Sequence, residues 1–284
     1  MTTTLKLWFS TIANTLANPG ALLVFAVIYA LLLVASYIFI WIREATVSQV
    51  LVTYALMILI PIAFFALQAA IIDRTLDQKF RWRIILIDTL KFLAVTIPVL
   101  LLVLFLYYLL NKLAARYPAP VVVVAAPTPA AHPTTPTPPV TPPLHWPSLI
   151  FSTLRFALLG VAFPLATIHL WIAVAGSSLF SAGAKSFFKR IGSGVATAFS
   201  SNSVLIYGLG LIVFFVLPYV ALVPTFTING NKTEFVVFSL RLLLAFLFSL
   251  IGWVVTLTAL ARAAFTLPTE VSAPVVAQPT EAAA

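Results

Sequence analysis

The sequence predicts an all-α polytopic membrane protein, a bundle of six transmembrane helices with three amphipathic helices at the cytoplasmic membrane surface. Two observations predict this fold class. The chain is 62% hydrophobic and only 8% charged, whereas soluble domains are near half apolar and a quarter charged. It also contains six apolar runs of about 20 residues, the length needed to cross a hydrocarbon core of about 30 Å. A soluble fold is therefore excluded.

The first predicted element is an amphipathic helix over residues 4–17, lying in the membrane surface. Its apolar side chains recur at helical spacing, with Lys6 and the polar residues opposite. Asn18-Pro19-Gly20 ends this helix, because proline disfavours the helical conformation of the residue before it. The apolar run that follows is too long for a signal peptide, so we expect an uncleaved first span.

The six spans are predicted at residues 21–42, 49–72, 90–110, 149–175, 204–222 and 235–263. The stretch from Asp73 to Lys91 separates spans two and three and holds five of the sixteen Lys and Arg residues. No acidic residue falls inside a predicted span. A second amphipathic surface helix is predicted over residues 183–200, before span five.

Four regions follow from this order. Residues 1–116 hold the first surface helix, spans one to three and the cytoplasmic basic loop, and residues 149–265 hold spans four to six with their surface helix. Residues 117–148 contain eleven of the twenty prolines, which predicts an extended external loop. Residues 266–284 should form a disordered cytoplasmic tail. His132 and His145 lie in the proline-rich loop without nearby carboxylates, so no metal site is expected.

The distribution of cations predicts the orientation. With the N-terminus inside, ten of the sixteen Lys and Arg residues lie on the inner side and four outside. Both termini are therefore predicted to be cytoplasmic and residues 117–148 external. The chain has no cysteine, and its loops other than residues 117–148 are short, which favours a bacterial inner membrane.

A threefold pattern precedes the outgoing spans. A basic residue is followed by an aromatic residue three positions later and by isoleucine six positions later, at Lys6, Lys79 and Lys185. Either a true duplication or the common character of basic juxtamembrane helices accounts for it. In both cases the candidate interfacial anchors are Lys6, Trp8, Phe9, Lys79, Trp82, Lys185 and Phe188.

The order of a surface helix and a break is best shown by Trp8-Phe9 through Asn18-Pro19-Gly20-Ala21-Leu22. This arrangement resembles a group of bacterial six-span membrane proteins related to the membrane-anchor domain of some glycerophosphodiesterases. The resemblance implies a membrane part without assured catalytic residues.

Two arginines within predicted spans are candidates for binding an anion. Arg155 and Arg241 are each about the seventh residue of an inward-running span, so they should lie at similar depth. Together they could bind an anionic lipid headgroup or a substrate phosphate through their guanidinium groups. The alternative is that each side chain extends separately to the outer surface.

Other polar and irregular positions within the spans favour packing. His169 and Gln68 lack a carboxylate partner for a proton relay, so we expect them to be hydrogen-bonded in the core. Helix kinks are expected at Pro61, Pro98, Pro164 and Pro218.

The sequence contains no phosphate-binding glycine loop, paired carboxylates, zinc motif or nucleophile elbow. It therefore predicts a non-enzymatic membrane scaffold or accessory protein that organises lipid or partner proteins, with no cofactor. Its expected partners are anionic lipid headgroups and a protein docking on the proline-rich loop, but not nucleic acid. The alternative is a transporter or channel for a small or anionic solute, with Arg155 and Arg241 in its outer vestibule.

Overall fold

The computed structural model describes residues 2–43, 45–77, 79–118, 145–175, 184–223 and 231–266. Every regular element in these ranges is a helix. Ten α-helices follow one another along the chain: α1 (Thr2–Leu16), α2 (Pro19–Trp41), α3 (Val47–Asp77), α4 (Trp82–Ala114), α5 (Trp146–Phe156), α6 (Phe163–Val174), α7 (Ala184–Ala198), α8 (Ser201–Leu211), α9 (Leu217–Leu222) and α10 (Asn231–Thr266). Two π-helical stretches join α5 to α6 and α8 to α9, at Ala157–Ala162 and Ile212–Val216.

The described residues contain six helical segments that are long and apolar enough to cross a membrane. These segments are Pro19–Trp41, Val47–Leu76, Trp82–Ala114, Trp146–Val174, Ser201–Leu222 and Thr233–Phe265. Each overlaps a predicted span, so the prediction of an all-helical fold with six helices long and apolar enough to span a membrane is confirmed. Most of the predicted external loop and the predicted tail lie outside the described residues.

The helices around the basic stretch are longer than the sequence predicts. α3 continues to Asp77 and α4 begins at Trp82, so Asp73 and Asp88 lie within helices, and each is 2% exposed. The prediction that no acidic residue lies inside a span is therefore wrong. Both carboxylates have a cationic partner, which offsets the cost of their burial.

Two of the three expected amphipathic segments form separate helices before a span, namely α1 and α7. The third does not, because Trp82 and Ile85 lie at the start of the long helix α4. Ala17 and Asn18 separate α1 from α2, and Pro19 is the first residue of α2, a position that proline favours. Location of these segments at a membrane surface stays a prediction.

Helix α10 lies at the centre of the bundle. It packs against α1, α2, α3, α6, α8 and α9, while α3 also packs against α2 and α4, and α4 against α6. Most of the largest fully buried side chains lie where α3 and α10 end, along α6, and where α4 and α8 begin: Leu67, Ile71, Ile72, Ile85, Phe92, Leu165, Ile168, Ile206, Leu257 and Leu260. α1 and α7 pack against this same end. We call it the basic end, because Lys79 lies in its α3–α4 connection and Arg83 in the first turn of α4.

The two π-helical stretches each precede a proline, Pro164 or Pro218. Proline has no N–H group, and its ring clashes with the carbonyl four residues earlier in an α-helix. Gly160 occupies that position before Pro164, and its carbonyl accepts a hydrogen bond of 2.9 Å from the Tyr207 hydroxyl. Pro164 has no N–H group to donate to the Gly160 carbonyl, and the Tyr207 hydroxyl of span five donates to it instead. Pro61, by contrast, lies within the continuous helix α3, as Pro98 does within α4.

Spans five and six approach closely at two glycines. A Cβ atom at Gly210 would lie 2.1 Å from Thr256 Oγ1, and one at Gly252 would lie 2.8 Å from the Phe214 nitrogen. A Cβ at Gly208, in contrast, would meet no atom within 4 Å. Gly210 and Gly252 therefore permit the close crossing, as small residues do between membrane helices.

Candidate functional site at the basic end

Exposed cations surround the basic end. Lys6 on α1, Lys79 and Arg83 near the start of α4, and Lys189 on α7 all have exposed side chains. Exposed cations of the opposite end are Arg43, Lys112 and Arg116.

A polar cavity of about 360 Å³ opens at this end, between α1, α2, α3 and α10. Two arginines line it, Arg74 from α3 and Arg262 from α10. The other lining residues are Asn14, Thr15, Asn18, Ala21, Leu22, Phe25, Ile71, Thr75, Val254 and Thr258. We call it the arginine cavity.

Aromatic rings hold the Arg74 side chain beside the cavity. Its guanidinium carbon lies 5.0 Å from the centre of the Phe80 ring, a distance typical of a cation–π contact. The Phe80 ring stacks on the Trp82 ring at 5.8 Å between centroids and makes a T-shaped contact with the Phe25 ring at 5.7 Å. Phe25 itself lines the cavity. The α3–α4 connection thus positions one of the two arginines.

One ion pair joins α3 to the same connection, and a second lies within α4. Asp73 accepts hydrogen bonds from the main-chain N–H of Arg81 at 3.2 Å and from its Nε at 3.1 Å, and it also forms an ion pair with Nη2 of Arg81. Lys91 Nζ donates to Asp88 Oδ1 at 2.7 Å. Both buried carboxylates therefore have cationic partners outside the lining of the arginine cavity.

A second cavity of about 310 Å³ lies between α1, α6, α7, α8 and α10. His169 lines it and is 3% exposed, with Nδ1 at 3.4 Å from Thr197 Oγ1. Its Nε2 has no hydrogen-bond partner in the described part of the chain. Thr4 Oγ1 donates to Asn202 Oδ1 at 2.9 Å across this cavity's lining.

Gln68 is buried and accepts a hydrogen bond of 2.6 Å from Trp253 Nε1, which ties span two to span six. Both Gln68 and His169 are thus packed residues, as the sequence indicates. Across the described ranges, no group of three or more His, Asp or Glu side chains could hold a metal ion.

Arg155 and Arg241 lie on helices that pack against different neighbouring helices. Arg155 belongs to α5, which packs against α4, and its Nε is buried without a partner among the described residues. The stretch of α10 just after Arg241 faces α2 and α9 instead, at an apolar groove. No described contact joins the two arginines, so their joint anion site stays a prediction.

The predicted interfacial anchors differ in exposure. Phe9 is 65% and Trp82 is 55% exposed, whereas Trp8 is 4% exposed and packs in the core with Thr4 and Thr11 on the same face of α1. Trp8 therefore faces the bundle rather than a surface. The side chains of Lys185 and Phe188 lie outside the described residues.

Sequence reasoning used Arg74 and Arg262 only for orientation and missed their shared cavity. One local signal was present, since the Asn-Pro break places the start of α2 beside the end of α1. The sequence gives no indication that Arg74 and Arg262, which are far apart in the chain, line the same cavity.

Comparisons with protein-family models, with curated proteins and with solved structures find no match to this chain. The resemblance to the membrane-anchor domain of glycerophosphodiesterases therefore stays a prediction.

Proposed function

We propose that this chain is a non-enzymatic membrane scaffold or accessory protein that organises anionic lipid around one end of its six-helix bundle. The observation that carries the proposal is the convergence of exposed cations at the basic end, from α1, the start of α4 and α7. A juxtamembrane Lys or Arg contributes about 1 kcal/mol of attraction to an anionic membrane surface. Several such residues around one bundle therefore favour a shell of anionic lipid.

Exposed aromatic rings support the same function. Phe9 and Trp82 lie close in sequence to Lys6 and Arg83 and are largely exposed. Aromatic rings at headgroup depth anchor helices at the interface. In this proposal the basic end faces the cytoplasmic leaflet of a bacterial inner membrane, and the proline-rich segment 117–148 is external and docks a partner protein.

The test is the lipid composition around the purified protein. The variant Lys6→Gln/Lys79→Gln/Arg83→Gln/Lys189→Gln should lose the enrichment of phosphatidylglycerol over phosphatidylcholine in polymer-extracted discs. The matched control, Arg43→Gln/Lys112→Gln/Arg116→Gln, removes exposed cations of the opposite end and should keep it. Equal enrichment in both variants and in the wild type would refute the proposal.

Transport of an anionic solute is the second candidate function. It is favoured by the π-helical stretches before Pro164 and Pro218, because π-bulges and interrupted membrane helices often mark functional or moving segments. Phosphate flux in proteoliposomes that disappears in Arg155→Gln/Arg241→Gln would support transport. Absence of flux in the wild type would leave the lipid-organising function as the better proposal.

A further inference from the structure

We infer that the arginine cavity is a stoichiometric binding site for one phosphate-type anion, carried by a lipid headgroup or free in solution. This site lies within the bundle and does not include the exposed cations on which the proposed function depends. Each can therefore fail without the other.

Charge is the first reason. Arg74 and Arg262 line one cavity of about 360 Å³, so cationic side chains from two different spans contribute to its wall. Guanidinium groups bind phosphate oxygens through paired, charge-assisted hydrogen bonds.

The start of helix α2 is the second reason. Ala21 and Leu22 of its first turn line the cavity, and so does its N-cap residue, Asn18. The Asn18 side chain makes no capping hydrogen bond; its Nδ2 instead donates to the Asn14 carbonyl. The N–H groups of Ala21 and Leu22 donate to the Asn18 carbonyl, so this helix start contributes the positive end of a 23-residue helix dipole without a side-chain cap, rather than free N–H donors.

The remaining lining matches the same ligand. Asn14, Thr15, Thr75 and Thr258 add amide and hydroxyl groups, which can donate to phosphate oxygens. The cavity also lies within the range of roughly 300 to 1,000 Å³ usual for small-molecule sites. Its apolar side, which includes Phe25 and Val254, continues towards the bundle core.

The experiment uses the full chain in discs of phosphatidylcholine. One arm adds phosphatidic acid and counts bound molecules by native mass spectrometry. The other adds inorganic phosphate and follows its binding calorimetrically. We expect one bound phosphate group, with affinity at least tenfold weaker in Arg74→Gln and in Arg262→Gln. Lys79→Gln removes one exposed charge of the same end outside the cavity and should bind as the wild type does.

A second variant protects the test against misfolding. Asn14 is exposed on α1 and its side chain has no described hydrogen bond, so Asn14→Trp can fill the cavity while keeping every charge. It should lose the bound anion and keep the wild-type unfolding temperature in phosphatidylcholine alone.

The two arms identify the source of the phosphate. Binding of phosphatidic acid alone assigns a lipid headgroup, binding of inorganic phosphate alone assigns a free anion, and competition between them assigns a site that takes either. Each result supports the inference if Asn14→Trp abolishes it. No binding by the wild type, or equal binding by wild type, cavity variants and Asn14→Trp, overturns it. Loss of lipid enrichment in the variant of four exposed cations, with one anion still bound, separates this site from the proposed function.

Discussion

Individual residues at the basic end show how an apolar bundle accommodates buried charge. Asp73 is almost fully buried, and its partner Arg81 follows eight residues later, across the α3–α4 connection. The sequence predicted a charged loop here because charges are costly in a span. It could not predict that Asp73 would pair with Arg81, since that depends on the geometry of the connection, whereas Asp88 and Lys91 pair within one helix. The arginine cavity was missed because it depends on contacts between helices that are far apart in the chain, namely α1, α2, α3 and α10.

Replacing Arg81 tests this ion pair. Arg81→Gln leaves the buried Asp73 carboxylate without its main partner, so we expect a loss of about 2 kcal/mol in unfolding free energy. Arg83→Gln changes an exposed residue two positions away and should stay within about 0.5 kcal/mol of the wild type. Reversible unfolding in mixed detergent micelles measures both. Equal stabilities of the two variants would show that the pair contributes nothing.

The bond between the Tyr207 hydroxyl and the Gly160 carbonyl gives a second prediction. Tyr207→Phe should cost about 0.6 to 1 kcal/mol, the usual worth of a hydrogen bond between membrane helices. In a Pro164→Ala background the new N–H group can bond to Gly160 itself, so the same change should cost less. A double-mutant cycle measures this coupling. Additive effects of the two changes would rule out the compensation.

At the scale of helices, the apolar runs predicted all six spans, because span length and hydropathy are local properties. The predicted span ends were less accurate near charged residues, where α3 ends later and α4 begins earlier than predicted. Two of three amphipathic segments are separate helices, and the third joins α4. Proline positions were readable from the sequence, but only contacts in the structure show which prolines accompany a π-helical stretch.

Two glycines of α8 give a matched pair for testing helix packing. Gly210→Ala places a methyl group against Thr256, so we expect a destabilisation of about 1 to 3 kcal/mol. Gly208→Ala meets open space and should be neutral or stabilise the helix by up to about 1 kcal/mol. The free energy of unfolding of both variants, measured in the same detergent, tests this difference. Similar effects at the two positions would contradict the close crossing at Gly210.

For the whole molecule, composition and the order of spans gave the class and topology, whereas the location of the core at one end could not be predicted. That location depends on contacts such as Trp253 with Gln68 and Trp171 with Thr96, which join distant parts of the chain. The same end carries the arginine cavity and the exposed cations. The buried core, the polar arginine cavity and the exposed cations thus all lie at the basic end.

Orientation is testable because the chain contains no cysteine. Single-cysteine variants Lys6→Cys and Lys189→Cys should be shielded from an impermeant thiol reagent in intact cells. Arg43→Cys and Lys112→Cys, at the opposite end, should react. The positive-inside distribution predicts this labelling pattern. The reverse pattern would contradict the predicted orientation and place the basic end outside.

The most direct test of lipid organisation is the relative association of spin-labelled anionic and zwitterionic lipids with the wild-type protein, at about 0.15 M and about 1 M salt. Screening shortens the Debye length from about 8 Å to about 3 Å between these conditions. We expect a preference for anionic lipid at low salt that largely disappears at high salt. Equal association of both lipids at low salt would contradict a function in organising anionic lipid.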